Sequence, residues 1–268
     1  MQIHSTAIVH SKASLADDVE VGPFCSIGEH VTIGRGTRLL SHVTIDGWTE
    51  IGERNEVHPF ASIGGPPQHL GYKGEPTKVI IGHDNVLREY VTVNRATVQG
   101  GGITSLGSKN FLMAYAHVAH DCRLGDRLIL ANAATLAGHV TIGDDAIIGG
   151  LTGIHQHVRV GSYSMVGGCC ALNQDLPPFM RAAGGYRAKL YGLNSVGLRR
   201  HGFSADRISV LKRAYDMLFR SGHRTAEVAK LVKAEFGGQP DVMTLVAFLE
   251  GTKRGICRSV GKAQEDEE

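Results

Sequence analysis

His120 and Asp121 are neighbours in the chain, and Gly138 stands eighteen positions after His120. Gln156 follows Gly138 at the same interval, while His139 and His157 repeat it from Asp121. His117 and His155 flank the set. An imidazole changes charge close to neutral pH, so it can take or give a proton, or bind a metal when neutral. Zinc would need three such groups converging at about 2.0–2.1 Å, and His120, His139 and His157 are the candidates. A repeated spacing of this kind has meaning only if the chain returns to the same place at each interval.

The aliphatic residues indicate that it does. One series runs Ile3, Val9, Leu15, Val21, Ile27, Ile33, Leu39, Ile45, Ile51, Val57, Ile63, then Ile81, Leu87 and Val93. A second runs from Leu106 through Leu112, Val118, Leu124, Leu130, Leu136, Ile142, Ile148, Ile154, Val160 and Val166 to Leu172. Short internal periods of this kind signal a solenoid, and hexads signal a parallel β-helix. Three hexads make one turn, and coils should stack at about 4.8 Å. Residues three hexads apart then become vertical neighbours, and the polar groups line one edge of three successive coils. Many glycines directly follow the repeat aliphatic, among them Gly22, Gly34, Gly52, Gly82, Gly107 and Gly125. They are expected to supply the positive φ of sharp corners.

Two breaks interrupt the repeat. Residues 64–80 read as a loop, after which Ile81 resumes the original phase. Residues 94–105 read as a second loop, containing Gly100, Gly101 and Gly102, and the later series is shifted by one residue. Long loops without periodicity are often functional. Residues 1–190 are therefore assigned to the β-helix and 191–268 to an α-helical domain. Ser204 is a plausible N-cap before Ile208, Leu211, Tyr215 and Leu218 at helical spacing, with Gly222 ending that helix. Further helices are expected from Thr225 to Phe236 and from Pro240 to about Glu250. The charged end from Lys253 to Glu268 is expected to fray.

Net charge is +2, which gives no whole-chain case for nucleic-acid binding. No stretch approaches the roughly 20 apolar residues of a membrane span, and no signal peptide is visible. The five cysteines form no C-x-x-C pair and read as reduced thiols. A cytoplasmic protein is expected, without stable membrane insertion.

Residues 113–122, MAYAHVAHDC, resemble the active-site segment of the bacterial UDP-N-acetylglucosamine O-acyltransferases that begin lipid A synthesis. LAGHV, IHQ, VGGC, QDLPP and GLRRHGFS (197–204) extend the resemblance over nearly the whole chain. It implies a mainly β fold, a left-handed parallel β-helix followed by a small helical domain, working as a homotrimer with sites between subunits. It also implies transfer of a 3-hydroxyacyl chain from acyl carrier protein to a UDP-sugar hydroxyl. No cofactor is implied beyond the carrier's own phosphopantetheine, and no metal.

By this resemblance His120 matches the general base, Asp121 the carboxylate that orients it, and Gly138 the oxyanion donor. His69, His117, His139, His155, Gln156, Asn194 and Arg200 match substrate-binding positions. Gly168 and Tyr186 match positions that control acyl length, and a glycine at the first favours a longer chain. Since the carrier is acidic, Arg123, Arg127, Arg199, Arg200 and Arg220 are candidates for docking it. The sequence departs from the family pattern around the sugar. His69 replaces a usual Asp, Gly71 a Lys, Asn94 a His, Val196 an acidic residue and His201 an Arg. Such changes leave open a different acceptor, such as a 3-amino sugar. The hexapeptide N-acyltransferase that acts later in the same pathway, which typically carries an extra N-terminal domain, is a further alternative, as are a metal-dependent carbonic anhydrase of the γ type and a purely structural scaffold.

Overall fold

The computed structural model describes residues 1–221 and 225–257. Each hexad contributes a strand of about two residues and a four-residue turn, as at Ser26–Ile27 and Thr44–Ile45. The inner residue of each pair is aliphatic and points inward, while the outer one varies, polar at Ser26 and Thr44 but apolar at Phe111, Ile147 and Met165. Pairing joins residues three hexads apart: Ser26 with Thr44, and Ile27 with Ile45. Three parallel sheets result. Sheet I has 11 strands, sheet II has 9 and sheet III has 8. The core is the stack of inward side chains, among them Ile33, Leu39, Ile45, Leu112, Leu130, Leu136 and Ile148, all fully buried. Each such burial is worth about 1.5–3 kcal/mol. At the N-terminal rim Gln2–Ile3 and Ile8–Val9 are edge strands among the described residues, and the inward Ile3 remains 40% exposed.

The corner glycines act differently from expectation. Positive φ falls on the third residue of the turns, mostly not glycine: Phe60 (65°), Asp121 (64°), Arg127 (56°) and His139 (62°). Left-handed backbone at such residues costs about 1–2 kcal/mol each. Gly34 and Gly82 have no positive φ; they are small because the next coil is close. A Cβ on Gly34 would lie 2.7 Å from the carbonyl carbon of Gly52, and one on Gly82 would lie 2.7 Å from the oxygen of Gly107.

The three corners have different chemistry. Between sheets I and II, Phe24, His42, Phe60, Tyr90 and Tyr115 form a ladder of rings with centroids 4.8–4.9 Å apart. Between sheets III and I stand ion pairs such as Arg54–Asp84 and Arg127–Asp145, each at 2.7 Å. The corner between sheets II and III carries both loops.

The loops are narrower than the breaks in periodicity. Strands cover Ser62–Gly65 and Lys78–Ile81, leaving 66–77 as the first loop. Strands at Thr92–Asn94 and Ile103–Leu106 leave 95–102 as the second. Lys78 pairs with Trp48, five hexads back instead of three. The first insertion is thus two whole hexads, and the phase survives. His117 pairs with Thr92, four hexads and one residue back. The second insertion is thus one hexad and one residue, and the phase slips by one.

A hairpin of Met180–Ala183 with Lys189–Leu193 closes sheet I antiparallel, so the expected boundary at 190 falls inside a strand. Four helices follow: α1 (Ser195–Arg200), α2 (Ala205–Arg220), α3 (Thr225–Phe236) and α4 (Pro240–Glu250). Ser204 caps α2 as expected, accepting the Arg207 N–H at 3.3 Å. Gly222 lies outside the described residues. The chain then doubles back instead of fraying. Asp175 donates its N–H to Gly255 O at 2.9 Å, and Cys257 donates to Asp175 O at 2.9 Å. This strap, residues 252–257, closes the last coil; the rest of the charged tail, 258–268, lies outside the described residues. No described helix is long and apolar enough to cross a membrane.

Candidate active site

His120 and Asp121 occupy the middle of a turn at the corner between sheets II and III. In a straight strand their side chains would diverge. The positive φ of Asp121 brings them together, with His120 Nδ1 2.7 Å from Asp121 Oδ2. Both are buried, at 7% and 3% exposure. The second loop fixes the carboxylate. Thr97 donates its N–H to Oδ1 at 2.9 Å and its hydroxyl to Oδ2 at 2.7 Å. Thr104 accepts the Asp121 N–H at 2.8 Å. Gly100 packs so closely that a Cβ there would lie 2.5 Å from Oδ2. Sequence reasoning passed over Thr97. The inserted loop starts and ends at this corner, which was its only signal.

With the carboxylate accepting from Nδ1, the neutral ring carries its proton there and leaves the Nε2 lone pair free to accept one. Gly138 lies against that edge: a Cβ on it would stand 2.8 Å from Nε2 and 2.5 Å from Cε1. The Gly138 N–H has no acceptor among the described residues. A base nitrogen and an unused backbone donor therefore share one small space.

Other imidazoles extend the column. His139 meets His120 edge-on at 5.3 Å between centroids, and His157 stacks on His139 at 4.4 Å. His69, from the first loop, approaches His120 at 5.5 Å. Burial holds His139 below the ordinary histidine range; Asp121, 3.5 Å away, opposes this and the neighbouring histidines reinforce it. Burial also lowers His117, whose Nδ1 is 2.6 Å from Thr92 Oγ1. His120, Asp121 and His139 could in principle hold an ion, their ligand atoms lying within 4.8 Å of one another. The Asp121 oxygens, however, already accept from Thr97 and His120, a donor set arranged for a proton rather than a metal.

Cys122 follows Asp121 directly, but burial pushes its thiol up to about 12, which leaves it protonated and a poor nucleophile. His155 and Gln156 are exposed one coil above Gly138, and His155 shares a cleft with Tyr186.

The remaining candidates stand elsewhere on the same chain. Gly168 is at the corner between sheets I and II, where a Cβ would lie 3.2 Å from Gly150 O. Asn194 caps α1 by accepting the Gly197 N–H at 3.2 Å and donates to Tyr163 O at 2.9 Å. Arg200 lines a separate cavity over sheet I with Arg181 and Lys212. Arg127 is held by both oxygens of Asp145 at 2.7 and 2.8 Å, so its guanidinium is engaged away from the dyad.

Hexads wound into a prism, with four imidazoles and a carboxylate gathered at one corner, put the chain in the class of hexapeptide-repeat proteins. Residues 175–257 match the family model described as Udp N-acetylglucosamine O-acyltransferase, domain 2. An acyl-[acyl-carrier-protein]–UDP-N-acetylglucosamine O-acyltransferase of Thermodesulfovibrio yellowstonii is 54% identical, over 96% of this chain and 99% of its own length. One from Syntrophobacter fumaroxidans is 50% identical, over 96% and 100%. The solved structure of LpxA from Acinetobacter baumannii superposes with a TM-score of 0.94 at 45% identity, covering 96% of this chain and 100% of that one. The chain belongs to the acyl-[acyl-carrier-protein]–UDP-N-acetylglucosamine O-acyltransferase family and is an acyltransferase.

Proposed function

We propose that the protein transfers a 3-hydroxyacyl chain from acyl carrier protein to the 3-hydroxyl of UDP-N-acetylglucosamine, the first step of lipid A synthesis. The supporting observation is the His120–Asp121 pair facing the unused N–H of Gly138. His120 Nε2 takes the proton of the sugar hydroxyl as its oxygen attacks the thioester carbon. The oxyanion is held by the Gly138 N–H, the C–S bond breaks, and the thiolate leaves with the proton from His120. A positioned base supplies about 10²–10⁴-fold and one oxyanion donor about 10²–10³-fold. Positioning of two large substrates supplies the rest. No covalent acyl-enzyme is needed, and no cofactor beyond the carrier's phosphopantetheine.

His69, His117, His139, His155 and Gln156 bind substrate along the column, and Gly168 and Tyr186 bound the acyl pocket. Asn194 and Arg200 lie on a different side of the same chain from the dyad, so they serve a neighbouring subunit's site. That division favours a homotrimer of left-handed prisms. So does the exposed ladder of Phe24, Phe60, Tyr90 and Tyr115 at the corner between sheets I and II, an apolar edge fit for burial. The setting proposed is the cytoplasm.

A second reading has its own observation. The Gly71 N–H donates to His69 Nδ1 at 3.1 Å, so neutral His69 carries its proton on Nε2, a donor where the family pattern has a carboxylate. Asn94 donates to Pro66 O at 2.8 Å, and its Oδ1 stays buried without a partner. These changes favour an acceptor altered at sugar position 3, such as an amine. Acyl transfer to UDP-N-acetylglucosamine and to its 3-amino analogue, run in parallel, separates the readings. Transfer to the hydroxyl sugar that vanishes in His120→Ala supports the first. Transfer mainly to the amine supports the second, and transfer to neither removes both.

A further inference from the structure

The strap of residues 252–257 carries Lys253 and Arg254 to the edge of the imidazole column. There they wall a cavity of about 550 Å³ together with His139, Thr141, His157 and Arg159. Two of its cations are fixed in place. The Arg159 guanidinium lies 4.0 Å above the Phe248 ring and within 3.5 Å of the Phe248 carbonyl. Arg254 donates from Nε to Asn173 O at 3.3 Å. Lys253 has no bonding partner among the described residues and is exposed.

The carboxylate in the same wall does not neutralise them. Asp175 is 1% exposed, and its oxygens accept the Arg159 N–H at 2.9 Å and the Thr252 hydroxyl at 2.8 Å. It faces the Arg159 guanidinium only at 3.9 Å. Three cations against one carboxylate leave two positive charges around a space that opens onto His139, next to the base. A preorganised guanidinium matches phosphate oxygens well, and a flexible ammonium completes the charge.

We propose that this cavity is a phosphate subsite, holding a phosphoryl group of one substrate so that its reacting end meets His120. The proposal rests on the acyl-transfer reading. Two phosphoryl sources fit the chemistry: the phosphodiester of the carrier's pantetheine arm and the diphosphate of the nucleotide sugar.

The test compares Lys253→Glu and Arg159→Met with Lys109→Ala, a control at another corner. KM is measured for acyl-phosphopantetheine, for acyl-pantetheine lacking the phosphate, and for the UDP-sugar. Loss of one hydrogen bond between charged groups should raise the affected KM about tenfold or more. A rise confined to the phosphorylated donor assigns the site to the pantetheine arm. A rise confined to the UDP-sugar assigns it to the diphosphate. If neither moves, the proposal is overturned. Pyrophosphate binding to the whole protein, followed by calorimetry, is the independent arm. Binding to the native protein that is lost in Lys253→Glu upholds the subsite even if no acyl transfer is found, and equal binding by both overturns it.

Discussion

His120 and Asp121 meet because one backbone angle is left-handed, and Thr97 and Gly100 then hold the carboxylate still. If His120 is the general base proposed above, His120→Ala should lower kcat about 10²–10⁴-fold. Thr97→Val removes one hydroxyl from Oδ2 but leaves the ring in place. It should cost about 1.5–3 kcal/mol of stability, the value of one hydrogen bond to a buried charged group, and lower kcat about tenfold at temperatures where the variant is fully folded. An unchanged kcat in the folded variant would mark Thr97 as merely structural. The buried histidines add a pH dependence. His117 and His139 titrate below the ordinary value of about 6.5 that they regain on unfolding. Their contribution to stability is present above that value and is lost as pH falls through the lowered folded range. Urea unfolding between pH 7.5 and 5.5 should show this slope, and His139→Gln should flatten it. His120, Gly138 and Gln156 were legible in the sequence because the coil repeats every three hexads. Thr97 was not, because an inserted loop obeys no period.

At the scale of elements, the hexad aliphatics announced the sheets, since every strand needs one inward side chain and the coil is too narrow for anything larger. The glycines were misread because a repeated small residue has two physical causes, a special φ or a close neighbour, and sequence does not separate them. Gly82→Ala should therefore cost about 1–3 kcal/mol through overpacking against Gly107. Denaturant midpoints would check it, and an unchanged midpoint would mean the coils can move apart. Arg95 is the other buried element the sequence hid. It is 7% exposed, donates to Tyr72 Oη at 2.8 Å and lies 5.6 Å from the Trp48 ring centre, pinning the loop of residues 66–77. Arg95→Met should destabilise the protein by about 2 kcal/mol. It should also speed tryptic cleavage after Lys73 and raise KM for the nucleotide sugar more than KM for the acyl donor.

For the whole molecule, the prism and the helical block were readable from the change in period, whereas the strap was not. Lys253, Arg254 and Gly255 look like a solvated tail until Asp175 is seen to bond with Gly255 and Cys257. The division of site residues between corners predicts how subunits share work. Co-expressed His120→Ala and Arg200→Ala chains should regain activity that neither has alone. If each site takes its base from one subunit and its arginine from the next, about a quarter of the sites in random trimers are intact. Activity below a few per cent would put both residues in the site of a single chain.

Among the described residues the two ends of the prism differ. Residues 252–257 tie down the final coil, while the strands at Gln2–Ile3 and Ile8–Val9 are the unpaired edges of their sheets. In a stack where each layer touches only its neighbours, melting advances layer by layer from the free end. Hydrogen exchange should accordingly be fastest near Gln2 and slow progressively toward His120. The molecule should therefore open as a zipper whose slider starts far from His120, with heat or force consuming the N-terminal coils first; exchange that is uniform along the coils would refute this order.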